Sequence, residues 1–163
     1  MKPWVKTSSL LALLAVFLFG CGSQQSRIEK ASAQSAHVRE QVTSRSYRIR
    51  VDYMFPQRYP SRPVMSEFWL ELKNDRVNSY LPYFGQVQSP SPYSQDEGLN
   101  FETEIRNYTE KRNEHKHRTE ILFNAKSSSD YFLYKIFVYD DGNAEIDVHS
   151  NRRDYIRFSG ELE

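Results

Sequence analysis

One cysteine, Cys21, stands among 163 residues, so no disulfide within the chain can staple the fold. Charge of one sign is missing too. The 22 Lys+Arg stand against 21 Asp+Glu, a net charge of +1, which leaves no electrostatic footprint for nucleic acid. No apolar run reaches the ~20 residues of a membrane-spanning helix, and a mean hydropathy of −0.72 excludes a multi-span membrane protein. The fingerprints G-x-S-x-G, H-E-x-x-H, the P-loop and the dinucleotide glycines are absent as well. Aromatics are not scarce. At 14%, within 39% apolar residues overall, they argue against disorder, and the length suits one domain.

What is there begins with an export signal. Lys2 and Lys6 form a basic n-region, and Leu10 to Phe19 read LLALLAVFLF, half a bilayer span and the length of a secretory h-region. Leu18-Phe19-Gly20-Cys21 resembles the lipobox of bacterial lipoproteins, with Phe19 where a small or β-branched residue is usual. The resemblance implies a signal peptide over 1–20, acyl chains on Cys21, and membrane attachment through those chains. Cleavage would leave 143 residues with 20 basic and 21 acidic side chains and no free thiol. Gly22-Ser23-Gln24-Gln25-Ser26 holds no acidic residue that would redirect sorting. The expected location is the outer membrane, facing the periplasm.

Residues 22–45 contain no aromatic side chain and are rich in Ser, Gln and Ala. Ile28, Ala31, Val38 and Val42 lie near helical spacing. The segment 21–45 is thus a lipidated tether, either a thin amphipathic helix or a flexible chain. Composition changes at Ser46, beyond which all 11 tyrosines lie, and a β domain is expected over 46–163.

From there alternation dominates, the mark of half-buried strands. Tyr47, Ile49, Val51 and Tyr53 alternate with Arg48, Arg50 and Asp52, and Phe68, Leu70 and Leu72 with Glu67, Trp69 and Glu71. Between them Pro56, Pro60 and Pro63 mark a loop, and Ser89-Pro90-Ser91-Pro92 marks a second. Further strands are expected at 76–81, 99–105, 114–124, 130–139, 144–149 and 155–159. The class is all-β: a single, mostly antiparallel domain of about eight strands, either a sandwich or an open half-barrel.

Two hairpins can be given a register. A three-residue loop at Asp140-Asp141-Gly142 sets Val138 against Ala144, Ile136 against Ile146 and Tyr134 against Val148, with Lys135 facing Asp147 and Gly142 left-handed. A two-residue turn would mix apolar with charged side chains. At Asn74-Asp75 a two-residue loop pairs Leu72 with Val77 and Phe68 with Leu81. It also sets Trp69 against Tyr80 on the other face and Lys73 against Arg76 at the turn.

The run Val77-Asn78-Ser79-Tyr80-Leu81-Pro82-Tyr83-Phe84-Gly85 resembles the signature of an uncharacterised family of Bacteroidota lipoproteins, domain of unknown function family 4251. Gly98-x-x-Phe101, Gly142-x-Ala144, Val148-x-Ser150-Asn151-Arg152 and Ile156-x-Phe158-x-Gly160 extend the resemblance over roughly 45–163. It implies a small β-rich envelope domain and brings no catalytic residue, substrate or cofactor. Pro82 cannot donate to a ladder and should end a strand or occupy an edge. Tyr83 and Phe84 then either plug one end of the core or stand on the rim of a cavity.

The remaining candidates for chemistry are few. His115 and His117 form an H-x-H pair that would share one face of a strand and grip a metal with further ligands, but only His37 and His149 remain as histidines. Glu102 and Glu104 alternate with Leu99, Phe101, Thr103 and Ile105 and read as a solvated face. No catalytic residue, metal ligand or cofactor is assigned. Trp69 and Tyr80, on a nominally polar face, either stack on a sugar or peptide, or are covered by the protein's own helix or a second sheet layer. With Tyr83 and Phe84 they form the candidate surface for a ligand or partner. The expected role is non-enzymatic binding or assembly, towards an envelope protein or a small apolar or glycan ligand; the alternative is an envelope hydrolase acting on glycans or peptides.

Overall fold

The period-two pattern produces eight strands, each antiparallel to the one before it. The computed structural model describes residues 22–88, 98–128 and 130–163; the signal segment 1–20, Cys21 and the Ser89–Pro92 loop lie outside the described residues. The strands are β1 Ser46–Pro56, β2 Arg62–Lys73, β3 Arg76–Pro82, β4 Gly98–Asn113, β5 Arg118–Lys126, β6 Tyr131–Tyr139, β7 Asn143–Ser150 and β8 Ile156–Leu162. β1 also pairs with β8, from Ile49–Leu162 to Pro56–Ile156, so the sheet closes into a barrel in sequence order. The expected sandwich or half-barrel is corrected to this closed form, whose closure leaves no outermost strand to be templated.

Both hairpin registers are as the side-chain pattern requires. Val138 faces Ala144, Ile136 faces Ile146, and Gly142 closes the loop at φ 93°. Leu72 faces Val77 and Trp69 faces Tyr80 around a turn in which Asn74 takes φ 58°. The β2–β3 ladder stops at Trp69–Tyr80 and does not reach Phe68–Leu81. Lys135 lies opposite Asp147, but its ammonium reaches Glu120 on β5 at 2.9 Å.

Three expectations change. β5 starts at Arg118, so Glu114–His117 is the β4–β5 turn. Pro63 is inside β2, opposite Tyr53, in the half of that strand that β3 does not ladder and where a missing N–H is tolerated. Third, the β1 register shifts between Val51 and Tyr53. The shift turns Met54 and Pro56 towards the core and Tyr53 and Phe55 outward, against simple alternation. Gly160, opposite Val51, permits the close approach, since a Cβ there would run into the Arg50 carbonyl.

An eight-stranded barrel is just wide enough for side chains to fill it. Tyr134, Phe123 and Phe158 are fully buried inside with Ile49, Leu70, Leu72, Leu81, Ile121, Ile136 and Ile146. The Phe123 and Tyr134 rings stack at 5.1 Å, and Tyr134 Oη meets Ser79 Oγ at 3.1 Å, which satisfies both buried hydroxyls together with Ser79 donating to the Leu99 carbonyl.

The segment before the barrel is a helix, α1, Gly22–Thr43. Val38 and Val42 join the core, Gln41 Nε2 donates to the Glu163 carbonyl, and Arg39 reaches Asp140 in the β6–β7 turn. The C-terminal half of α1 thus lies across the barrel end formed by those turns. Residues 25–34 are all exposed, so the expected stripe packs only through Val38 and Val42, while Ile28 and Ala31 face solvent. Among the described residues no helix is long and apolar enough to cross a membrane.

Candidate functional site

Trp69 and Tyr80 point outward because Leu70 and Leu72 on β2, and Val77, Ser79 and Leu81 on β3, point inward. Their rings meet at 4.6 Å. Phe68 stacks on Tyr80 at 5.1 Å, and the Arg48 guanidinium lies 5.0 Å from the Trp69 ring. Among the described residues neither the helix nor a second sheet layer covers this pair: α1 closes a barrel end, and the strands form one sheet. Tyr80 remains 38% exposed.

Tyr83 takes the plug alternative. Past Pro82 the chain folds over the second barrel end, where Val87 bridges Arg153 and Gln88 N donates to the Arg152 carbonyl at 2.7 Å. The Tyr83 hydroxyl donates to the Gln86 carbonyl at 2.9 Å, and burial raises its pKa. Gly85 leaves the room this requires, since a Cβ there would sit 2.6 Å from the Tyr83 hydroxyl. Beneath Tyr83, at 5.2 Å from its ring, the Arg153 guanidinium pairs with Asp130 at 3.2 Å, and Asp130 also accepts from Ser150 Oγ at 2.7 Å. The 81–85 run and Ser150-Asn151-Arg152 therefore meet in one seal.

Phe84 leaves that seal. It is 39% exposed, edge-on to Tyr59 at 4.4 Å and under the Arg62 guanidinium at 3.6 Å. Of the four candidates, then, Trp69 and Tyr80 form one outer pair, Phe84 stands on the rim beside Tyr59 and Arg62, and Tyr83 is drawn inward. Sequence reasoning missed Tyr59 and Met65, the latter 92% exposed on β2. Both sit in stretches whose alternation is broken by proline and by the register shift, so no periodic signal marks them.

The titratable groups are mostly taken up in internal pairs. His115 and His117 are exposed in the turn, His117 at φ 48°, because the strand that would have aligned them begins one residue later. His149 lies against the Tyr155 ring at 4.8 Å. Glu102 is held by Arg76 at 2.9 Å, on the solvated face expected for it and Glu104. The tightest cluster is on the outer wall, where Asp147 accepts from Arg157 Nε and from the Tyr155 hydroxyl, both at 2.6 Å. Burial by itself would raise the Asp147 pKa, but Arg157 and Tyr155 outweigh it and hold the carboxyl below its usual value. The same burial, with the Asp147 charge beside it, pushes Tyr155 up to about 12.

The comparisons with known proteins agree with the resemblance. The model of the family described as domain of unknown function DUF4251 matches residues 29–162, and the chain belongs to that family. The chain is similar in fold to the crystal structure of a DUF4251 family protein from Bacteroides eggerthii, with a TM-score of 0.60 and 10% identity. That likeness covers 80% of this chain and 87% of the other. A comparison with curated proteins returned no match.

Proposed function

For this DUF4251 domain we propose a non-enzymatic binding or assembly module, anchored to the outer membrane through acyl chains on Cys21 and facing the periplasm, which engages an envelope protein with its outer aromatic flank. One observation carries the reading. Tyr59, Met65, Tyr80 and Phe84 are four of the nine exposed large apolar side chains among the described residues. All sit on β2, on β3, or on the segments beside them. An exposed apolar concentration of this kind is what a protein interface uses. The filled interior supports an external surface over an internal ligand. The carboxylates held below their usual pKa, Asp147, Asp140, Glu114 and Glu120, are each engaged by an arginine or lysine, which supports binding over hydrolysis.

Photo-crosslinking in the host from Met65 tests the interface. The expected result is a discrete adduct that Trp69→Ala with Tyr80→Ala removes and that a crosslinker at Leu133 does not form. An adduct indifferent to Trp69 and Tyr80, or none, overturns the reading. Cys21→Ala tests the anchor: the protein should leave the membrane fraction, and unchanged partition and mass would rule out lipidation at Cys21.

A further inference from the structure

A second feature of the outer wall lies where β1, β8 and β7 run side by side. The register places Phe55, Arg157 and Asp147 in one row across the three strands, and Tyr53, Ser159 and Glu145 in the next. Ser159 is the small side chain between larger ones, so the wall dips there. The result is a cleft of about 690 Å³ lined by Phe55, Pro56, Gln57, Glu145, Tyr155, Arg157 and Ser159. Phe55 is 38% exposed and backed by Tyr53 at 5.1 Å. It faces outward only because of the register shift that Gly160 permits, the kind of bulge that re-aims side chains beside binding sites.

We propose that this cleft binds a neutral oligosaccharide. The inference goes beyond the binding-module reading and does not rest on the Trp69 surface. Its charges are already matched. Arg157 is held by Asp147 and lies 4.0 Å from Glu145, so an anion would have to displace Asp147 and a cation would have to displace Arg157. Hydroxyl groups meet no such conflict. The Glu145 carboxylate and Ser159 hydroxyl accept from them, and Gln57 donates with its amide nitrogen while its oxygen accepts from Tyr155 N at 3.1 Å. Phe55 offers an apolar face to the C–H side of a pyranose ring, the mix of one aromatic surface and a few oriented polar groups that small-molecule sites use. Arg157, clamped by Asp147 and by the Tyr155 hydroxyl at 3.1 Å, needs no ordering on binding. An extended peptide is disfavoured, because the β1–β8 and β8–β7 ladders run through this region and leave no free strand edge to add to.

The test is titration of the full chain, in a detergent without a sugar headgroup, with maltotetraose, cellotetraose, the chitin tetramer and, as the charged arm, tetragalacturonate, followed by saturation-transfer NMR and calorimetry. At least one neutral tetramer should saturate the protein. Phe55→Ala should weaken that binding about tenfold, Ser159→Trp should abolish it by filling the dip, and Leu133→Ala on a distant strand should leave it unchanged. Failure of all neutral tetramers, tighter binding of tetragalacturonate, or binding that survives Phe55→Ala overturns the proposal. Because Phe55 stands outside the barrel core, that variant remains informative even if Ser159→Trp fails to fold.

Discussion

The two ends of the barrel are closed by opposite means. At one, α1 lays Val38 and Val42 onto the core and is pinned at its margin by the half-exposed Arg39, which reaches Asp140 at 3.5 Å and Glu114 at 3.8 Å. At the other, the chain seals itself with polar groups taken out of water: the side chains of Arg153 and Asp130 are 4% and 2% exposed. An apolar plug tolerates truncation, because losing methyl groups leaves only a smaller contact. A buried ion pair does not, since removing one partner strands the other charge.

The sharpest way to break this contrast is Arg153→Met, which leaves Asp130 buried without its cation and should destabilise the fold by about 3–5 kcal/mol in urea unfolding. A loss below ~1 kcal/mol would mean that the loop end is not sealed by this pair. The wall between the ends supplies an intermediate case. Asp147→Asn weakens three charge-assisted hydrogen bonds, two from Arg157 and one from Tyr155, and should destabilise by about 1.5–3 kcal/mol. Its pH dependence carries a sign. Because the folded pKa of Asp147 is lowered, its stabilisation is fully present above the ordinary carboxylate range and is lost as pH falls through the folded value. Urea midpoints from about pH 5 down to about pH 2 should therefore fall more steeply for the natural protein than for Asp147→Asn. At the helix end, Val42→Ala should lose about 1–2 kcal/mol for the two methyl groups and the residual cavity. Smallest of all, Arg39→Ala removes two long ion pairs, to Asp140 and Glu114, from a side chain 48% exposed and should change stability by less than ~1 kcal/mol, further reduced by salt. If Arg39→Ala rivals Arg153→Met, the two ends do not differ in the way described.

Much of this was legible in the residues. Alternation found part of every strand, because a strand with one wet face must repeat every two residues, but it did not carry β2 back to Arg62 or β4 on to Asn113. Gly142 and the Asn74-Asp75 pair fixed two registers, because a slip by one residue would have exposed Ile136 or Leu72. The Trp69–Tyr80 pair followed from the second of these. Less legible were the places where local pattern yields to distant contact. The start of β5 at Arg118 cannot be read from Glu114-His115-Lys116-His117, which alternates as well as a strand does. Tyr53 and Phe55 face outward through a bulge whose cause, Gly160, is more than a hundred residues away. Tyr83 and Phe84, adjacent in sequence, part company because one finds Asp154 and Arg153 above the core while the other finds Tyr59 and Arg62 on the rim.

The sequence by itself determined the all-β class, the start of the barrel at Ser46, the registers of two hairpins and the family, since each depends on side-chain period, turn chemistry or a short run of residues. Only the tertiary structure decided that the sheet closes, that α1 caps one end rather than covering Trp69, and that Asp130 meets Arg153. Those outcomes depend on which distant groups share a small space. Closure joins β1 to β8 because only together do they bury Ile49, Val51 and Phe158, and nothing local to either strand specifies the other.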